Sequence, residues 1–296
     1  MKTPIFTGAC TAIITPFTKE NKLDYANLAH QLDFQIKNKI QAILVAGTSG
    51  EASTLEIHEY EALVDFCVKY ASNKIKIIAG IGGNNTAECL KKAEKSAQFG
   101  ADAVIMTAPY YNKSTQNGIT AHFTCVADGS PIPLILYNVP SRTSIGITLE
   151  SYKQLSEHPN INGVKEASGD FSLIAKLRAQ CKNDLYIWSG NDDNTIPIMS
   201  LGGLGVISVA ANVIPREIST LCELCLAGNF SAAAEVYVKY SDFFEKLFIE
   251  TNPIPIKKAM EILSLDTGFM RLPLVEMSNP ATDKLISSMK HCGVLL

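Results

Sequence analysis

Lys165 is the residue whose place in the sequence most directly suggests a reaction. It closes an apolar run, Ile161–Val164, so its amine is expected to lie where little water reaches it. Burial pushes a lysine side chain toward its neutral form, and a neutral amine attacks a carbonyl carbon to form an imine, which makes the adjacent carbon acidic. The sequence therefore predicts Schiff-base chemistry here, although position alone also allows a lysine that pairs with Glu166 or with an aspartate.

Three other places carry polar groups that fit such a reaction. Tyr137 ends the preceding apolar run, where its phenol is suited to move protons or, alternatively, caps a packed interior. Thr48 and Ser49 lie in a glycine-flanked loop, where their hydroxyls are suited to relay a proton or bind a carboxylate, or else to cap the next helix. Arg142 follows Pro140 and is suited to clamp a carboxylate with two hydrogen bonds, or to form a surface ion pair.

Short apolar runs alternate along the chain with amphipathic helical segments and must position these groups. Most of the runs are apolar throughout, which is typical of parallel strands buried on both faces. Eight strand–helix repeats predict an α/β fold, a (β/α)8 TIM barrel whose chemistry lies at the carboxyl ends of its strands. An open doubly wound sheet is disfavoured because no glycine-rich phosphate loop follows the first run. The predicted strands are Thr11–Thr15, Ala42–Ala46, Ile75–Ala79, Ala103–Thr107, Leu134–Asn138, Ile161–Lys165, Leu185–Ser189 and Gly205–Val209.

No strand signal recurs near the carboxyl terminus. We therefore expect residues 1–228 to form the barrel and residues 229–296 to form a helical appendage packed on it, which covers a flank or builds a subunit contact. One helix of the appendage is predicted over Ile256–Leu263, after a proline-rich turn. Within the barrel, Ser53 and Glu56 fit a capping box at the start of a helix.

Composition excludes several classes of function. The net charge of −3 does not favour nucleic acid as a partner. The absence of a signal peptide and of a long apolar segment predicts a cytoplasmic protein without membrane contact. The eight cysteines are expected to be free buried thiols, and Cys222 and Cys225 fall inside a helical pattern. No metal is predicted, because the histidines are scattered and Asp192 and Asp193 have no accompanying ligand cluster.

Several segments together resemble a known family. From about Gly8 to Met277 the chain is similar, in order, to the dihydrodipicolinate synthase / N-acetylneuraminate lyase family, and it is most similar to the synthase branch. Ser49 departs from that branch, which usually has Thr at this position. The segments that carry the resemblance are Gly47–Glu51, Tyr110–Asn112, Tyr137–Thr143, Gly163–Gly169, Ser189–Asp193, Asn252–Pro255 and Arg271–Pro273.

The resemblance implies the condensation of pyruvate with L-aspartate 4-semialdehyde, at the start of lysine and diaminopimelate synthesis. Lys165 would form the imine with pyruvate, and no separate cofactor would be needed. Tyr137, Thr48 and Tyr111 would form a proton relay, with Tyr111 lent by a neighbouring subunit. The protein would accordingly be a homo-oligomer, with a tetramer built from two dimers as the expected state.

The resemblance also implies how substrates are held. Arg142 would bind the carboxylate of the semialdehyde, and Ser49, Gly190 and Ile207 would complete the substrate site. The sialic acid lyases lack this arginine, so the runner-up is another pyruvate-dependent class I aldolase, such as an N-acetylneuraminate or 2-keto-3-deoxy sugar acid lyase. A barrel that binds a keto acid without turnover is the remote alternative.

Regulation by lysine is the last property that the resemblance addresses. Lysine-inhibited members bind lysine at a subunit interface, but two histidine positions of that pocket are Ile57 and Tyr60 in this chain. We therefore predict that inhibition by lysine is weak or absent. The residues that fall at an allosteric site of this kind are Ser53, Asn84, Glu88 and Tyr110.

Overall fold

The computed structural model describes residues 2–296 and contains, over that range, a closed barrel of eight parallel strands in chain order. The last strand pairs with the first, so no strand edge is exposed. This arrangement confirms the predicted TIM barrel. The strands are β1 (Gly8–Ala12), β2 (Ala42–Val45), β3 (Lys76–Gly80), β4 (Ala103–Thr107), β5 (Leu134–Asn138), β6 (Ile161–Glu166), β7 (Tyr186–Ser189) and β8 (Gly205–Ser208).

The first strand was predicted three residues too late, since it covers Gly8–Ala12 and not Thr11–Thr15. Ile13 and Ile14 are buried after the strand has ended, where the chain leaves the barrel. The backbone N–H of Ile14 donates to the side chain of Asn212, at 3.2 Å, instead of to a neighbouring strand. The apolar pair therefore reflects burial in a loop, which periodicity alone does not distinguish from burial in a strand.

Helices surround the barrel, and three of them follow it as the predicted appendage. The appendage helix that we expected over Ile256–Leu263 begins two residues earlier, and α10 packs against α8, α9 and α12. The division of the chain at residue 228 stays a prediction. The helices are α1 (Tyr25–Lys37), α2 (Ile57–Ala71), α3 (Thr86–Phe99), α4 (Gln116–Gly129), α5 (Pro140–Thr143), α6 (Leu149–Ser156), α7 (Phe171–Cys181), α8 (Thr195–Ser200), α9 (Pro215–Leu226), α10 (Phe230–Lys246), α11 (Ile254–Ile262) and α12 (Asn279–His291).

The capping box of α2 lies three residues after the predicted one. Glu56 is the N-cap, and its side chain and that of Glu59 hydrogen-bond reciprocally to the backbone. Ser53 instead belongs to a short 3-10 turn over Ala52–Thr54. The predicted pairing of Ser53 with Glu56 is therefore wrong, because the chain makes this extra turn before the helix begins.

The amino-terminal segment closes the bottom of the barrel. Phe6 stacks on Trp188 with ring centres 4.9 Å apart. Lys2 Nζ donates to three backbone carbonyls, those of Ser156, Ile161 and Asp184, at 2.7, 2.7 and 2.8 Å. The opposite end of the barrel, where the strands finish, is left for the polar groups. Among residues 2–296, no helix combines the length and apolarity needed to span a bilayer.

Candidate active site

A cavity of about 550 Å³ opens at the carboxyl ends of the strands. It brings together most of the residues that the sequence singled out, although they come from separate strands and loops. Segment 248–252, which leads from α10 to α11, forms one wall. The predicted site residues that line the cavity are Thr48, Ser49, Tyr137, Arg142, Lys165 and Gly190.

Lys165 and Tyr137 form the centre of this site. Register places them opposite each other on β6 and β5, and Lys165 Nζ lies 4.3 Å from the centre of the Tyr137 ring. Lys165 is 4% exposed and Tyr137 is 8% exposed, so both groups are largely removed from water. In residues 2–296 no carboxylate lies within 4 Å of the Lys165 amine. The alternative of a lysine that pairs with Glu166 therefore does not hold.

Glu166 is occupied on the other face of the strand. Successive side chains of a strand point to opposite faces, so Glu166 points outward while Lys165 points into the barrel. Its fully buried carboxylate accepts from Asn138 Nδ2 at 3.0 Å to each oxygen, from the Tyr152 hydroxyl at 2.7 Å and from the backbone N–H of Ser168 at 2.8 Å. Burial, and next the charge of Glu166, raise the pKa of Tyr152, which stays a donor.

This outer cluster bears directly on the reactive pair. Asn138 follows Tyr137 in β5, and Glu166 follows Lys165 in β6. The side-chain hydrogen bonds between Asn138 and Glu166 therefore join the two strands directly behind the amine and the phenol. They fix the register on which the 4.3 Å approach depends.

The loop with Thr48 and Ser49 presents two hydroxyls to the cavity. Thr48 is exposed at the mouth, whereas Ser49 is buried and its Oγ accepts from Asn252 Nδ2 at 3.0 Å. Neither residue caps a helix, because the turn that follows starts from Glu51 and α2 from Glu56. The hydroxyls are thus available for substrate.

A buried ion pair holds that loop in place. Glu51, which ends the loop with a left-handed backbone (φ 53°), pairs with Lys257 of α11 at 2.5 Å, and both side chains are almost fully buried. The second Glu51 oxygen accepts from the backbone N–H of Arg271 at 3.0 Å. Arg271 in turn binds both oxygens of Glu59. The appendage thereby fixes the hydroxyl loop from behind.

Arg142 and Gly190 also line the cavity. Arg142 is exposed toward the cavity, has no carboxylate within 4 Å in the described chain, and places Nη2 3.5 Å from the carbonyl oxygen of Asn252. The predicted alternative of a surface ion pair is therefore not formed. At Gly190 a Cβ would lie 2.7 Å from that of Ala167 and 3.2 Å from Lys165 Cγ, so only glycine leaves room for the lysine side chain.

Two predicted site residues lie outside the cavity lining. Ile207 is fully buried in the barrel interior, in the same apolar cluster as Tyr137. Tyr111 lies in the loop after β4, has a positive φ of 60° and is 92% exposed. An aromatic side chain this exposed is available to a neighbouring subunit, but it does not reach the cavity of its own chain.

The residues of the predicted allosteric site lie along the loops after β2, β3 and β4 and in the first turn of α3. Asn84 and Tyr110 join two of these loops by reciprocal side chain–backbone hydrogen bonds of 2.9 and 3.0 Å. Ser53 and Glu88 are exposed. Tyr60 is instead buried between α2 and α3, where its hydroxyl bonds to a serine of α3 at 2.8 Å.

Of the paired aspartates, Asp192 has structural partners and Asp193 is exposed. Asp192 is buried and accepts from the Ser208 hydroxyl and from the backbone N–H groups of Val209 and Ala210 at 3.1 and 3.0 Å. Across residues 2–296 no three acidic, histidine or cysteine side chains are grouped to hold a metal ion. Burial raises the pKa of Cys222 and of Cys225, both of which are free thiols.

Sequence reasoning missed the wall formed by segment 248–252. It treated Asn252 as part of a turn, whereas the structure places it against both Ser49 and Arg142. The available signal was that Asn252–Pro255 is one of the segments that carry the family resemblance, although it lies outside the predicted barrel.

Comparisons with known proteins agree over the whole chain. The sequence profile described as the Dihydrodipicolinate synthetase family matches residues 5–292. A 4-hydroxy-tetrahydrodipicolinate synthase of Thermoanaerobacter sp. (strain X514) is 44% identical over 293 residues, which are 99% of this chain and 98% of that protein. The crystal structure of dihydrodipicolinate synthase from Aquifex aeolicus is 41% identical, with a TM-score of 0.96 over 98% of this chain and 99% of that one. A structure described as a monomeric dihydrodipicolinate synthase variant is 35% identical, with a TM-score of 0.95 and 98% of both chains covered.

Proposed function

The chain belongs to the dihydrodipicolinate synthetase family, and from that premise we propose that it catalyses the reaction for which its relatives are named. In this reaction pyruvate condenses with L-aspartate 4-semialdehyde to give 4-hydroxy-tetrahydrodipicolinate. The observation that carries the proposal is the buried Lys165 amine, which has no ion-pair partner among residues 2–296 and lies 4.3 Å from the centre of the Tyr137 ring. The same cavity presents Arg142, which has no carboxylate partner in that range.

The first half of the reaction activates pyruvate on Lys165. The amine attacks C2, the carbonyl oxygen leaves as water, and a protonated imine forms without a separate cofactor. The imine withdraws electrons from the methyl carbon, which loses a proton to give an enamine. The ring of Tyr137 lies beside the Lys165 amine, and we assign to its phenol the transfer of protons at these steps.

The second half joins the two substrates. The enamine carbon attacks the aldehyde carbon of the semialdehyde, a C–C bond forms, and the aldehyde oxygen takes up a proton. Arg142 binds the carboxylate of the semialdehyde, since its guanidinium lines the cavity and has no carboxylate partner among residues 2–296. Ser49, Gly190 and Ile207 are proposed to complete the substrate site.

Proton transfer is proposed to extend from Tyr137 to Thr48 and to Tyr111 of a neighbouring subunit. Thr48 lines the cavity, whereas Tyr111 projects into solvent from its own chain. The relay is therefore complete only in an oligomer, and we propose a homotetramer built from two such dimers. We also propose a cytoplasmic location, where both small charged substrates are available.

We propose that lysine inhibits the protein weakly or not at all. A lysine pocket of the family kind would need polar side chains at positions 57 and 60. Ile57 offers none, and the hydroxyl of Tyr60 is already bonded inside the helical layer. The side chain of Asn84 is occupied in joining two loops through the backbone of Tyr110.

Steady-state turnover tests the proposed reaction against its runner-up. The purified protein is assayed with pyruvate and L-aspartate 4-semialdehyde, and separately for cleavage of N-acetylneuraminate and of a 2-keto-3-deoxy sugar acid. We expect turnover with the semialdehyde only, and a rise of about tenfold or more in its KM in Arg142→Ala. Preferred cleavage of a sugar acid, or unchanged semialdehyde kinetics in Arg142→Ala, would contradict this assignment.

A further inference from the structure

A carboxylate-binding site requires only positive groups, whereas this cavity also contains a negative one. Besides Lys165 it contains one guanidinium, Arg142, and one acidic side chain, Glu250. In the part of the chain that the structure describes, neither Arg142 nor Glu250 has an oppositely charged side chain within 4 Å. The cavity thus offers one unpaired positive and one unpaired negative group beside the reactive amine.

Glu250 is held in place from one side only. Its Oε1 accepts from the backbone N–H of Ser278 at 3.3 Å and from the Ser278 hydroxyl at 2.5 Å, just before α12 begins. Its other oxygen has no hydrogen-bond donor among residues 2–296. The carboxylate is therefore oriented by the protein and keeps one oxygen for a ligand.

The segment that carries Glu250 is also tied to the substrate-binding groups. Two residues further on, Asn252 donates to Ser49 at 3.0 Å and its carbonyl oxygen lies 3.5 Å from Arg142 Nη2. Glu250 and Arg142 therefore belong to one connected wall of the cavity, although they are far apart in sequence.

We propose that Glu250 binds the α-ammonium group of L-aspartate 4-semialdehyde. This inference rests on the proposed function and deepens it. The semialdehyde carries an ammonium and a carboxylate on the same carbon, and Arg142 can satisfy only the carboxylate. Taking an ammonium group out of water is costly unless a charge compensates it, and Glu250 is the acidic side chain of this cavity.

Product chemistry gives the ammonium site a further purpose. The product is a nitrogen ring, and the amino group of the semialdehyde is the only nitrogen that the two substrates supply. That ammonium must first give up one proton, to Glu250 or to water, so that its nitrogen can bond to the former C2 of pyruvate. The bond from C2 to Lys165 then breaks, and the two protons that remain on the attacking nitrogen pass to the departing lysine nitrogen. A carboxylate that holds the ammonium near the imine positions the nitrogen for this step and discriminates against aldehydes that lack it.

The competing explanation is that Glu250 merely anchors α12 through Ser278. Under that explanation, loss of the carboxylate would loosen the cavity wall and weaken every aldehyde alike. An ammonium site instead predicts a loss that depends on whether the ligand carries an amino group. Succinate semialdehyde, which has the same carboxylate and aldehyde without the amino group, separates the two explanations.

The test compares Glu250→Gln with Ser278→Ala and with Glu276→Gln. Ser278→Ala removes the hydroxyl bond to Glu250 and keeps the charge and the backbone N–H donor. Glu276→Gln removes an exposed carboxylate from outside the cavity lining. For each protein we measure kcat/KM for L-aspartate 4-semialdehyde, the inhibition constant of succinate semialdehyde, and the KM for pyruvate.

We expect Glu250→Gln to lower kcat/KM for the amino-bearing substrate about tenfold to a hundredfold, the range of a hydrogen-bonded charge pair. The inhibition constant of succinate semialdehyde and the KM for pyruvate should change less than about twofold, and Glu276→Gln should resemble the parent. Ser278→Ala, which keeps the charge, should lower kcat/KM for the amino-bearing substrate less than Glu250→Gln does. Equal weakening of both aldehydes, or unchanged kcat/KM, would overturn the proposal. Absence of turnover in the parent protein itself would instead refute the proposed function.

Discussion

Exchange of the hydrogen-bonding groups behind the reactive pair offers a quantitative test of how the site is positioned. The fully buried Glu166 carboxylate accepts hydrogen bonds from Asn138 Nδ2, at 3.0 Å to each oxygen, from the Tyr152 hydroxyl and from the backbone N–H of Ser168. In Glu166→Gln one acceptor oxygen becomes an NH2 group that faces the NH2 group of Asn138. At least one buried donor then loses its partner.

The expected size of the effect follows from these contacts. Loss of one or two hydrogen bonds to a charged group lowers the free energy of unfolding by about 2–5 kcal/mol. The side-chain link between the strands that carry Tyr137 and Lys165 is weakened, although the backbone pairing remains. A displacement of about 1 Å at reacting groups lowers rates up to a hundredfold. We therefore expect kcat of Glu166→Gln to fall about tenfold to a hundredfold.

The reciprocal double variant, Asn138→Asp with Glu166→Gln, supplies the decisive comparison. One oxygen of the aspartate at position 138 accepts from the NH2 group of the glutamine at position 166. Its other oxygen accepts from the backbone N–H of Ile147, which in the parent lies 3.1 Å from Asn138 Oδ1. One negative charge remains in the cluster. Either Tyr152 or the backbone N–H of Ser168 still loses its acceptor in the double variant, because a glutamine has only one oxygen. We therefore expect the double variant to recover part of the lost stability and activity, with a coupling free energy of about 1–3 kcal/mol.

Urea unfolding and steady-state kinetics of the parent, both single variants and the double variant provide these numbers. Glu157→Gln is the matched control, because it removes an exposed carboxylate at the end of α6. The reasoning is refuted if Glu166→Gln unfolds like the control, or if the two substitutions are simply additive in the double variant.

Three further predictions follow from other parts of the structure. Burial raises the pKa of Asp266 from 3.8 to about 6, so its carboxyl group holds a proton more tightly in the folded protein than in the unfolded chain. The free energy of unfolding should therefore fall by up to about 3 kcal/mol as the pH rises between these two pKa values. Urea unfolding of Asp266→Asn and of the parent at about pH 4 and about pH 7 measures this pH dependence of stability, which the variant should lack. An equal pH dependence in both proteins would show that Asp266 is not its cause. Lys2→Ala removes the hydrogen bonds to three carbonyls at the bottom of the barrel. It should lower the free energy of unfolding by about 1–2 kcal/mol and leave kcat unchanged. A fall in kcat without a fall in stability would contradict a purely structural role for Lys2. Millimolar lysine should leave initial rates unchanged in the parent, and sensitivity to lysine would show that Ile57 and Tyr60 do not block the pocket.

Much of the site was readable from the sequence because its key residues end strands. A buried strand is a local sequence pattern, and the polar residue that ends the strand belongs to the same local pattern. The sequence therefore predicts Lys165 and Tyr137 as site residues at the ends of neighbouring strands. Their pairing across β5 and β6 then follows from parallel register in a barrel. The orientation of Glu166 also follows from strand alternation, which argues against its pairing with Lys165.

What the sequence did not predict depends on contacts between distant segments. Asn252 reaches Ser49 across 203 positions and Arg142 across 110, and Lys257 pairs with Glu51 over a comparable separation. No local periodicity encodes such contacts. The first strand was misplaced for a related reason, since an apolar residue in a buried loop resembles one in a strand.

The central claim is that Lys165 forms a covalent imine with pyruvate, and reductive trapping tests it most directly. The protein is incubated with pyruvate and sodium borohydride, and its intact mass and the modified peptide are determined by mass spectrometry. The account predicts one reduced pyruvyl group per chain, located on Lys165 and absent in Lys165→Ala. A parent protein that turns over pyruvate without any adduct, or an adduct that persists in Lys165→Ala, would contradict it.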